Sequence, residues 1–131
     1  MEYEYSARFD AVPAQIAAAR AWLVGSLRAM LPPGAADPVT SDAVLAISEL
    51  ATNSLRAGST HFTIGFTLEA DSVRIAVHDS APGLPLQRRA GRTEVNGRGL
   101  EIVDALASDW GTATDADGKE VWAVIPIRLT D

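Results

Sequence analysis

Apolar residues recur along this chain with two periods, and the switches between them divide it into helices and strands. Tyr3 to Phe9 alternates, which predicts a strand. Ile16, Ala19, Leu23, Leu27 and Met30 then recur at helical spacing behind Pro13, whose fixed φ suits a first helical turn. Pro32-Pro33-Gly34 ends that helix. A second helix is expected from Thr40, Ser41 or Asp42, all good N-caps, with Val44, Ile47, Ala51 and Leu55 on one face and a stop at Gly58. His61 to Leu68 and Ser72 to Asp79 alternate as two strands joined through Glu69-Ala70-Asp71. Ser80 to Asn96 holds two prolines and two glycines and is expected to be a loop. Leu100, Val103 and Leu106 mark a third helix. Trp110 to Thr114 and Glu120 to Leu129 form a closing hairpin around Asp115-Ala-Asp-Gly118, with Lys119 at its turn. This order predicts an α/β two-layer sandwich: a mixed, mainly antiparallel sheet with three helices on one face.

A length of 131 residues points to one domain, 1–131, and 47% hydrophobic residues suffice for a core. The net charge of -6 argues against a nucleic-acid backbone or an anionic membrane as the main partner. The absence of Cys removes disulfides, thiolate metal sites and Cys nucleophiles, and His61 and His78 are too isolated for a zinc site. The first residues lack the basic and apolar regions of a signal peptide, and no apolar run is long enough to span a bilayer, so a cytoplasmic protein is expected.

Three places combine residue types suited to chemistry. Glu49 and Asn53 are four apart on the second helix and share a face. Such a pair is either a solvated face or one wall of a pocket, where an Asn amide oxygen suits Mg²⁺ and a Glu takes a proton from an attacking hydroxyl. Asp79 shares the parity of Val73, Ile75 and Val77 and so continues an apolar strand face, which costs free energy unless the carboxylate is hydrogen-bonded. It either binds a donor such as a purine amine or caps the Ser-Ala-Pro-Gly turn that follows. Gly97-Arg98-Gly99-Leu100 opens the third helix, where unpaired N–H groups and the helix dipole suit a phosphate. The bland alternative is a glycine turn into a helix. Arg88, Arg89 and Arg92 are either solvated loop charges or contacts to a terminal phosphate.

The order of these pieces is more specific than any one of them. Glu49-Leu-Ala-Thr-Asn53, Val77-His-Asp79-Ser-Ala-Pro-Gly83 and Gly97-Arg-Gly-Leu-Glu-Ile-Val103 resemble the N, G1 and G2 boxes of the GHKL ATPase superfamily, whose fold is that of the histidine-kinase ATPase. Asp109-Trp-Gly111 and Gly118-Lys-Glu-Val-Trp-Ala123 resemble the ending found in stand-alone bacterial anti-sigma-factor serine/threonine kinases. The resemblance implies Asn53 as the Mg²⁺ ligand, Glu49 as catalytic base and Asp79 as the adenine-recognising aspartate, with Gly83 as the second G1 glycine. Gly97, Arg98, Gly99 and Leu100 then lie at the phosphates of ATP. It also implies phosphorylation of an anti-anti-sigma (STAS-type) partner, sequestration of a sigma factor, and a homodimer as in some relatives. Ala81 departs from the pattern, standing where the first G1 glycine is expected. It motivates the alternative of a non-catalytic protein-binding regulator with a degenerate nucleotide pocket.

Overall fold

The computed structural model describes residues 3–80 and 95–127, the side chains of residues 95–99 lying outside that description. Its elements are β1 (Tyr5–Asp10), α1 (Pro13–Met30), α2 (Pro33–Arg56), β2 (His61–Leu68), β3 (Ser72–Asp79), α3 (Val95–Leu106), β4 (Asp109–Asp115) and β5 (Gly118–Pro126). The strands form one sheet in the order β1-β2-β3-β5-β4.

Every neighbouring pair in that sheet is antiparallel, not mixed. The reason is the β4–β5 hairpin. The chain leaves β3 through α3 and enters β4 in the direction of β3, but β5 folds back between them and separates the two parallel strands.

Alternation sends Phe62, Ile64 and Phe66 of β2, Val73, Ile75 and Val77 of β3, and Ala123 and Ile125 of β5 to one face. The helices cover that face with Ala19, Leu23 and Leu27 of α1, Ala43, Ala46, Ile47 and Leu50 of α2, and Val103 of α3. Phe9, Trp22, Phe62 and Phe66 add offset and edge-on ring contacts where α1 crosses β1 and β2.

α2 is longer than its sequence pattern announces. It starts at Pro33, so Thr40, Ser41 and Asp42 are interior residues and not N-caps. Pro33 sits in the first turn, where its missing N–H costs nothing. Pro38 lies inside the helix and gives no N–H to the ladder. Burial of Ala35, Ala36, Val39 and Thr40 carries the helix across it. β1 begins at Tyr5, and β5 begins at Gly118 and ends at Pro126.

Gly118 makes the close approach of β5 to β3 possible. Its φ is +148°, and a Cβ there would collide with the carbonyl oxygen of Asp79. Gly118→Ala is therefore expected to destabilise the fold by about 2–3 kcal/mol. In a chain of this size that lowers the melting temperature by roughly 10 °C, readable by circular dichroism.

Candidate nucleotide site

α2 is fastened to the end of the sheet by a small buried polar group. Asp79, the last residue of β3, projects to the helix-covered face because it shares the parity of Val77. Ser54 of α2 donates its Oγ–H to Oδ2 at 2.5 Å, and Lys119 of β5 brings Nζ to 3.4 Å from Oδ1. Asp79 and Lys119 are register partners across the β3–β5 ladder. Their side chains are only 4% and 8% exposed. A carboxylate and an ammonium so far from water are tolerable only because each partners the other.

Lys119 therefore corrects a sequence expectation. It lies inside β5 and not at a turn. Lys119, Val121, Ala123 and Ile125 share one parity, so a charge continues the apolar face of β5 as Asp79 continues that of β3. That parity was a readable signal, as was Lys119 being the only lysine of the chain. Ser54 is the second residue missed. Small and adjacent to Asn53, it is buried among the α2 residues that face the sheet.

Glu49 and Asn53 lie one turn apart on α2, both half-buried, while Arg56 is exposed. They flank the buried stripe that ends in Ser54. The Glu49/Asn53 edge thus runs beside the residue that grips Asp79. Among the described residues no group of three or more His, Cys, Asp and Glu could hold a metal. Asn53 nevertheless fits Mg²⁺, because that ion keeps most of its shell as water and phosphate oxygens and needs few protein ligands.

α3 packs on α2 in the same layer, anchored by buried Val103 with Leu100 and Leu106 partly buried beside it. It starts at Val95, so Gly97 and Gly99 lie within its N-terminal turns and not before it. Glycines cost helix stability, but the packing of Leu100 and Val103 draws the helix back over them. The first four backbone N–H groups of a helix lack intrahelical acceptors, and no acidic residue stands in the first turn to repel an anion. Ala81, Gly83, Arg88, Arg89 and Arg92 lie outside the described residues, as does the side chain of Arg98.

The opposite face of the sheet is chemically separate. It carries a cleft of about 490 Å³ bordered by Tyr3, Gly65, His78, Asp115 and Glu120. The Tyr3 hydroxyl donates to Glu120 at 3.2 Å, and burial, reinforced by the Glu120 charge, pushes that phenol up to about 12. The backbone N–H of Asp117 donates to Asp115, and with His78 beside it the Asp115 carboxyl is held below its usual range. Asp79 and Lys119 project from the other side of the same strands.

Among solved structures, the histidine kinase domain of a blue-light activated histidine kinase from Erythrobacter litoralis matches with a TM-score of 0.54 at 16% identity. The match covers 86% of this chain and 61% of that one, so this chain spans less than two thirds of its length. No curated protein matches the chain. No helix among the described residues is long and apolar enough to cross a membrane. The model of the histidine kinase-like ATPase domain matches residues 9–125, from the end of β1 to the end of β5. The chain therefore belongs to the histidine kinase-like ATPase domain family.

Proposed function

We propose that this protein is an ATP-dependent serine/threonine kinase of the anti-sigma-factor type, transferring the γ-phosphate of ATP to an anti-anti-sigma partner. The observation that carries the reading is the buried Asp79 carboxylate, held by Ser54 and Lys119 beside the Glu49/Asn53 edge of α2. A carboxylate in that position accepts a hydrogen bond from the 6-amino group of adenine. Asn53 would hold Mg²⁺ through its amide oxygen. When bound, Mg²⁺ offsets the charge that develops on the phosphate oxygens. The N–H groups at the start of α3 bind the phosphates. Glu49 takes the proton from a Ser or Thr hydroxyl of the partner as its oxygen bonds to the γ-phosphorus and the bond to the ADP oxygen breaks. A cytoplasmic setting, sequestration of a sigma factor and a homodimer complete this reading by resemblance.

Ala81, in place of a glycine, favours the second reading of a non-catalytic regulator. Incubation with γ-labelled ATP and partner protein captured from the native cytoplasm separates the two. The kinase reading predicts label on the partner that survives acid and is lost in alkali, as a phosphoserine or phosphothreonine ester is. Acid-labile label would instead mean phosphohistidine, and no transfer together with no heat or thermal shift at millimolar ATP would favour the regulator.

A further inference from the structure

We infer that Lys119 is a second base-reading residue, donating from its ammonium to ring nitrogen N1 of an adenine whose 6-amino group is held by Asp79. The inference rests on the proposed ATP site and extends it to a residue on another strand.

β3 and β5 are antiparallel neighbours in the sheet. Register puts Asp79 and Lys119 side by side at the same end of the sheet, on the helix-covered face. Oδ1 faces the ammonium and Oδ2 faces Ser54. The pair therefore presents an acceptor next to a donor, both nearly excluded from water. The outer edge of adenine presents the complement, an amino donor at position 6 next to an acceptor at N1. A lysine has three N–H donors, so one to Asp79 leaves two for the base.

Order along this edge decides specificity. Guanine reverses it, with an acceptor at position 6 and an N–H at N1. If the phosphates are anchored at the start of α3, the base cannot turn over, and guanine sets its N1–H against the ammonium. A site built from buried polar groups rejects such a mismatch strongly. A purely structural Lys119, serving only to neutralise Asp79, would be indifferent to the atom at N1.

Calorimetry with Mg²⁺ and ATP, GTP or 1-deaza-ATP (which has C–H in place of N1) tests this on the full chain. The native protein is expected to bind 1-deaza-ATP about tenfold or more weaker than ATP, and GTP weaker still. Lys119→Met should bind ATP about tenfold weaker and no longer separate ATP from 1-deaza-ATP. Equal affinity of the native protein for ATP and 1-deaza-ATP overturns the inference while leaving the ATP site standing, and needs no variant to fold. A Lys119→Met protein that keeps the native ratio overturns it equally. Failure of the native protein to bind ATP removes the ATP site and this inference together.

Discussion

Asn53→Ala is expected to lower Mg²⁺-dependent ATP binding and phosphotransfer by about a hundredfold or more while leaving the melting temperature almost unchanged. Replacing even a residue that only supports a metal ligand typically costs 10–100-fold, and Asn53 is proposed as the direct ligand. The fold should not suffer, because Asn53 is half-buried at the margin of the α2 stripe and alanine is the better helix former. Titration with ATP, with and without Mg²⁺, alongside a thermal melt separates the two effects. Unchanged transfer in a folded variant removes Asn53 from the metal role. A parallel fall in melting temperature would make it a structural residue.

Asp79→Ala should have the largest effect on stability, about 3–5 kcal/mol, because it strands the buried Lys119 ammonium. It also leaves the Ser54 hydroxyl without the acceptor that ties α2 to β3. Urea denaturation of three proteins tests this: Asp79→Ala, Lys119→Met and the double variant. Removing both charges should restore much of the loss, since no charge is then stranded and the coupling of contacting residues shows as non-additivity. Additive losses would mean that the two side chains do not act as a pair. Adenine binding should fail in Asp79→Ala and in the double variant alike, so stability and recognition come apart in one set.

The sheet was legible where one face is apolar. His61–Leu68 and Ser72–Asp79 have the predicted bounds because Phe62, Ile64, Phe66 and Leu68, and Val73, Ile75 and Val77, recur at every second position between turn residues. Parity alone put Asp79 on the covered face, and the pairing with Ser54 and Lys119 supplies the partners that its burial demands. The start of α2 was not legible, because Pro38 and the cap-like Thr40-Ser41-Asp42 imitate a helix boundary. Only tertiary burial of Ala35, Ala36 and Val39 overrides them. The insertion of β5 between β3 and β4 is a long-range pairing that local periodicity does not encode. Lys119 had a local signal in its parity with Val121, Ala123 and Ile125, but its partner Asp79 lies 40 positions earlier by number (119 against 79), and only the β3–β5 pairing brings the two together. The Glu49/Asn53 edge was legible as a shared helix face, but its placement beside Asp79 follows from Ser54, which no spacing rule marks.

A nucleotide site between α2, the N-terminus of α3 and the Asp79 end of the sheet requires that the native protein bind ATP together with its metal. Calorimetric titration of the native protein with ATP, once in Mg²⁺ and once in excess chelator, measures this. Saturable one-to-one binding is expected in Mg²⁺, weakening when the metal is removed. Absence of heat and of any thermal shift at millimolar ATP would contradict it.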